Sequence, residues 1–289
     1  MTTRRFHITQ NTNAPGLKKL LLLLCITTSI SMAQAQTASD TLKAAQQGAA
    51  ADDPSQFLTR TEVFSNLQRY DKSDFYLSQT TLRTIVKIGK RFTTRVDIPY
   101  VYNSFEPPSK PKQSGLGDIS FRLLGYQILQ SRKSALTASV EVSLNTAQSP
   151  LLGLGKNLFI PVVTYSTMLR KRRNLFAIVL QQVNSFSGDE ERKDISFTKI
   201  QPILLNVWSR RIWTVVAPEW YIDYKNNGEL SMNVQGRFAF APTPRINLWV
   251  QGGAGVFGDF PGRYQWSAEI GSRYFWLRSM NLKKKNSGK

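Results

Sequence analysis

From about Phe57 to Trp276 the chain breaks into segments of roughly 9–14 residues in which apolar and polar positions alternate. In 230–240, Leu230, Met232, Val234, Gly236, Phe238 and Phe240 interleave with Ser231, Asn233, Gln235, Arg237 and Ala239. In 92–101, Phe92, Val96, Ile98 and Tyr100 stand against Thr93, Arg95 and Asp97. In 136–145, Leu136, Ala138, Val140, Val142 and Leu144 stand against Thr137, Ser139, Glu141, Ser143 and Asn145. A period of two over such lengths means strands with two chemically different faces.

Twelve strands follow, at about 57–69, 75–88, 91–103, 116–130, 135–145, 157–168, 175–185, 195–208, 212–224, 230–241, 246–257 and 263–276. Those at 157–168 and 195–208 alternate least clearly. Strands of soluble sandwiches usually run about five or six residues, whereas a tilted membrane-crossing strand needs about 9–11. The predicted fold is therefore all-β, a transmembrane antiparallel up-and-down barrel of about twelve strands. An even number puts both termini on the periplasmic side of a bacterial outer membrane.

The last strand checks the length. Tyr264 and Trp266 sit at one end of its apolar face, Tyr274 and Trp276 at the other. Ten residues at about 3.3 Å each, tilted about 40°, cover roughly 25 Å, the height of a lipid-facing band between aromatic girdles. The segment Glu269–Trp276 also resembles the β-signal read by the outer-membrane barrel assembly machinery, although a basic tail, 277–289, follows it.

The connections alternate in length. Gly89-Lys90, Ser131–Ser134, Arg170–Asn174, Ser209–Arg211 and Pro242–Arg245 are short and rich in Lys and Arg, and are assigned to the periplasm. The loops at 104–114, 146–156, 185–194 and 225–229 are mostly longer and are assigned to the outside.

The amino terminus explains how such a chain reaches the membrane. Arg4, Arg5, Lys18 and Lys19 precede an apolar run from Leu20 to about Ile30, and Ala33-Gln34-Ala35 fits a small-x-small cleavage site. Residues 1–35 read as a signal peptide of a Gram-negative bacterium, the run being too short to span a bilayer as a helix. Residues 36–56 are expected to form a flexible periplasmic lead, the sharper alternative being a short helix near 40–50 that enters the lumen.

Cleavage changes the chemistry available. It removes His7 and Cys25, the only histidine and the only cysteine. The mature chain then has no Ser-His or Cys-His nucleophile and none of the usual zinc and copper ligands, so neither an enzyme nor a cofactor is expected. It also takes four basic residues and no acid, lowering the formal net charge from +19 to +15. For an exported protein the anionic partners this implies are outer-membrane lipids, lipopolysaccharide or an acidic small solute, not nucleic acid.

If the apolar face meets lipid, the other lines a lumen. The candidates for that lining are Arg83, Arg95, Asp97, Asp118, Arg122, Glu141, Glu219, Arg237, Glu269 and Arg273. Ion pairing that stiffens the barrel accounts for them as well as solute contact does. Twelve strands with large inward residues such as Trp249 and Phe275 predict a narrow path rather than a wide pore.

Val96-Asp97-Ile98-Pro99-Tyr100 ends one strand, and Ser114-Gly115-Leu116-Gly117-Asp118-Ile119 opens the next. Glu141, Ser143-Leu144-Asn145-Thr146 and Gly153-Leu154-Gly155-Lys156 follow. Over roughly 60–276 this resembles the outer-membrane barrel family labelled MetA-pathway of phenol degradation, with Asn145-Thr146-Ala147 where that family usually has Pro-Thr-Gly. The resemblance implies transport of small, often aromatic, compounds. Locally, Gly115 and Gly117 permit a bulge or a tight strand entry, and Asp118 is placed to pair with a lumen arginine. A transporter or narrow channel is thus expected, the alternatives being a structural or adhesive barrel and a lipid-modifying enzyme.

Overall fold

A computed structural model of the chain describes residues 49–70, 75–105, 112–131, 133–169, 174–209, 211–258 and 264–276. Its strands are β1 (Arg60–Tyr70), β2 (Phe75–Ile88), β3 (Phe92–Phe105), β4 (Gln113–Leu116), β5 (Ser120–Gln130), β6 (Ser134–Ser143), β7 (Lys156–Met168), β8 (Asn174–Gly188), β9 (Ser196–Val207), β10 (Ile212–Asp223), β11 (Glu229–Thr243), β12 (Ile246–Phe257) and β13 (Trp266–Phe275). The expected signal peptide, most of the lead, the Arg170–Arg173 turn and the basic tail lie outside the described residues.

Each strand pairs antiparallel with its neighbours, and β1 pairs with β13 from Arg60↔Phe275 to Arg69↔Trp266, which closes the sheet into a barrel. β4 and β5 both lie along β3, against Tyr100–Asn103 and Phe92–Asp97 respectively, so together they form one stave of twelve. The single strand expected at 116–130 is therefore interrupted. The ladder breaks at Gly117-Asp118-Ile119, where the Gly117 N–H still donates to the Pro99 carbonyl at 3.0 Å. The strand ends Ile88, Gln130, Met168, Val207 and Thr243 lie at the same end of the barrel as Arg60 and Phe275, as an up-and-down path requires.

The two faces divide as the alternation predicts. Leu82, Ile98, Leu124, Val163, Leu180, Val250 and Ile270 are exposed on the outside, whereas Thr93, Asp97, Thr137, Glu141, Asn233 and Arg273 are buried within. Tyr274 and Trp276 form an edge-to-face pair at 5.4 Å at the terminal end of the outer face. Tyr264 is a correction. It is 2% exposed, because regular pairing of β13 begins only at Trp266 and the inward-facing Gly253 leaves room for the phenol. A Cβ at Gly253 would lie 2.6 Å from the Tyr264 hydroxyl.

The weak alternation at 157–168 and 195–208 has a packing cause. β7, β8 and β9 turn Leu158, Ile160, Val162, Leu175, Val179, Ile203 and Leu205 inward, so these strands are apolar on both faces. Ala49, at the start of the described lead, belongs to the same cluster. Beyond it, Ala51, Asp53, Ser55 and Phe57 are buried, and the Ser55 and Ser166 hydroxyls are 2.6 Å apart. Over 49–57 the lead thus lies against the inner wall, close to the terminal end. The flexible lead expected for 36–56 does not describe this part.

Candidate permeation path

The inner wall carries a belt of ion pairs that follows the strand register. Arg122 and Arg95 both donate to Glu141, at 2.7 Å each. Arg95 is 3.2 Å from Asp97, which also takes a two-pronged pair of 2.9 Å bonds from Arg83. Glu62 stands directly opposite both Arg83 and Arg273 in the register. It accepts from Arg273 and Arg60 at 2.7 Å each and lies 3.8 Å from Arg83. Cross-strand pairs of opposite charge at such positions stabilise a sheet, and carboxylates forked by guanidinium groups are the stronger kind.

The lead completes the belt. Asp52 Oδ1 accepts from Arg237 at 2.8 Å and Arg273 at 3.0 Å, and its Oδ2 accepts from the Trp213 indole at 2.6 Å. Arg237 reaches on to Glu269 at 3.1 Å. Burial pushes the Asp52 carboxyl up, but Arg273 and Arg237, with the Trp213 hydrogen bond, outweigh it and hold it below the ordinary carboxylate range. Trp249 organises this corner. Its indole donates to Glu269 at 2.7 Å, and Arg237 and Arg273 lie 5.0 and 5.1 Å from its ring. The ring crosses β13 at Gly271, where any Cβ would fall 2.2 Å from it.

Glu219 forms a second node. It accepts from Gln201 at 2.9 Å, Gln235 at 2.7 Å and Tyr221 at 2.9 Å, with Lys199 at 3.4 Å. Gln251 links Gln235 to Arg237, so polar contacts run through the wall from β9 to β13, on through β1 to β3, and to β5 and β6. The opposite wall, β7 and β8, is the apolar one. The lumen is two-sided in chemistry.

Of the expected lining residues, nine take part in this wall and Asp118 does not. Asp118 has no arginine partner among the described residues. Its Oδ1 accepts from the Thr146 and Ala147 backbone N–H groups at 3.1 Å each, and its Oδ2 from Leu154 N–H at 2.7 Å. It clamps the loop 144–155 over the mouth away from the termini. Gly117 permits the approach, since a Cβ there would lie 2.8 Å from Val101 and 3.1 Å from the Leu152 carbonyl. Beneath the clamp lies a cavity of about 470 Å³ lined by Phe64, Gln79, Arg83, Asp97, Leu152 and Leu154 among others. A second, of about 360 Å³, surrounds Asp52.

Asp118→Ala is expected to speed amide exchange of Thr146, Ala147 and Leu154 by roughly ten-fold or more, since bonds to a charged acceptor are worth about 1.5–3 kcal/mol. Strand amides should keep their protection. Unchanged exchange in the loop would show that other contacts hold it.

Asp52, Glu62, Arg60 and Trp213 were not among the expected residues. The signal for Asp52 was its place in Asp52-Asp53-Pro54, adjacent acids just ahead of a strand in a chain of net charge +19.

No protein-family profile matches the chain, and no curated protein matches it. Solved structures do. An outer-membrane channel from Pseudomonas putida F1 superposes with a TM-score of 0.64 at 13% identity, covering 78% of this chain and 99% of that one. The KdgM porin gives 0.53 at 6% identity, covering 75% and 99%. The NanC porin gives 0.52 at 13% identity, covering 75% and 100%. The likeness establishes the fold shared with outer-membrane channels and porins.

Proposed function

We propose that the chain is an outer-membrane channel for small solutes, closed at its periplasmic end by its own lead. The observation that carries this is the seat of Asp52, which ties a segment outside the strands across the interior of a closed barrel through Arg237, Arg273 and Trp213. Export by a cleaved signal peptide and insertion by the barrel assembly machinery belong to the same reading. So does passage of aromatic compounds, which the Gly-x-Gly-Asp resemblance and the apolar wall of β7 and β8 support.

Single-channel recording in planar bilayers tests it. The wild-type protein is expected to open rarely. Asp52→Ala removes bonds to charged donors worth about 1.5–3 kcal/mol, so the ratio of open to closed should rise roughly ten- to hundred-fold. A carboxyl held below its ordinary range contributes its stabilisation above that range and loses it as pH falls through the lowered value. The wild-type channel should therefore stay closed from neutral pH to about pH 5 and open only below the usual carboxylate range. Absence of conductance in every variant and at every pH would instead favour a structural barrel.

A further inference from the structure

The seat of Asp52 has the geometry of a ligand site. Three N–H donors converge on two coplanar oxygens, Arg237 and Arg273 on Oδ1 and Trp213 on Oδ2. This is a pattern that suits a planar carboxylate, both of whose oxygens are taken by charged or indole donors. The donors belong to β10, β11 and β13, so the cage is part of the barrel wall and remains when the lead leaves. Among the described residues the ion-paired belt holds six guanidinium groups against five carboxylates with Asp52 counted, and against four without it. Buried cations in excess need an anion.

The lead also shows what would sit beside that anion. The Asp52 N–H donates to the Ala49 carbonyl at 3.1 Å, and Ala49 packs in the apolar cluster with Trp213. The segment thus presents a carboxylate with a small apolar group one turn away. A solute with a carboxylate at one end and an apolar or aromatic body would make the same two contacts.

We propose that Asp52 occupies a carboxylate subsite of the permeation path, and that the Arg237–Arg273–Trp213 cage takes the carboxylate of a small aromatic or aliphatic acid when the lead withdraws. The lead is then a tethered competitor for the solute. This rests on the channel reading above.

Calorimetric titration of the refolded, detergent-solubilised full-length protein with benzoate, and with benzyl alcohol as its uncharged counterpart, tests the subsite. Asp52→Ala is expected to tighten benzoate binding at least ten-fold over wild type and to leave benzyl alcohol unchanged. Adding Arg237→Gln should abolish the gain. Adding Trp213→Phe, which removes one N–H and keeps an aromatic ring, should remove part of it. Heat-modifiable gel mobility shows which variants are folded. Equal benzoate affinity in wild type and Asp52→Ala overturns the proposal, as does an equal gain for benzyl alcohol. Conductance of the same preparations separates the two readings. Open channels without benzoate binding leave the channel and reject the subsite, while benzoate binding without conductance in any variant does the reverse.

Discussion

Glu62→Gln is expected to cost the folded barrel about 3–5 kcal/mol in urea unfolding, because it strips the shared partner from a cluster of buried cations. Glu62 is 3% exposed and holds Arg60 and Arg273 at 2.7 Å, with Arg83 at 3.8 Å. Arg60 and Arg273 are themselves 9% and 4% exposed, so water solvates the unpaired charges only in part. Glutamine keeps the volume and one acceptor oxygen and leaves three guanidinium groups facing one another. Lys225→Ala provides the contrast. Lys225 lies 3.7 Å from Asp194, with the side chains 52% and 60% exposed, and such a pair is worth about 0–1 kcal/mol. Comparable losses for the two variants would mean that the interior is wet enough to screen the belt.

The strands were legible because lipid outside and polar groups inside impose a period of two over most of the chain. Legibility failed where that contrast fails. On β1 the outer face carries Thr61 and Ser65, whose hydroxyls lie 3.4 and 2.7 Å from those of Thr84 and Thr80 on β2. With polar groups on both faces, nothing in the pattern singles out Glu62 or Arg60 as inward. On β7 and β9 the opposite holds, since Leu158, Ile160, Ile203 and Leu205 are apolar and inward. The Asp118 clamp was hidden for another reason. Its donors are backbone N–H groups of a loop 28 to 36 residues away, and backbone groups leave no mark in a sequence.

Those irregular places are also where the inner face changes character. The apolar inner wall of β7 to β9 contributes little to alternation, yet it gives Ala49 and the lead their contact. The charged belt crosses the other strands and stops short of that wall. The inner face thus sets paired guanidinium and carboxylate groups on one side against hydrocarbon on the other.

Val234→Arg and Val140→Arg are each expected to destabilise the barrel by about 2–4 kcal/mol in lipid vesicles, the range for arginine on a lipid face near the midplane. Val234 lies within the fifteen-residue β11, opposite Pro218 and Ala254, and Val140 lies on β6 opposite Leu124 and Pro161. The residues flanking them, Asn233 and Gln235 or Ser139 and Glu141, belong to the inner face, so the outward direction of the two valines follows from the pleat. Gln79→Arg tests the other face. Gln79 lines the cavity of about 470 Å³ near Asp97, where a cation meets polar groups and an existing carboxylate. Its cost should stay within about 1 kcal/mol, the scale of a substitution that strands no buried group. In micelles, whose interior adapts to a polar side chain, the valine variants should lose less than in vesicles. A Gln79→Arg penalty equal to theirs would reverse the assignment of faces, and with it the placement of every residue in the belt.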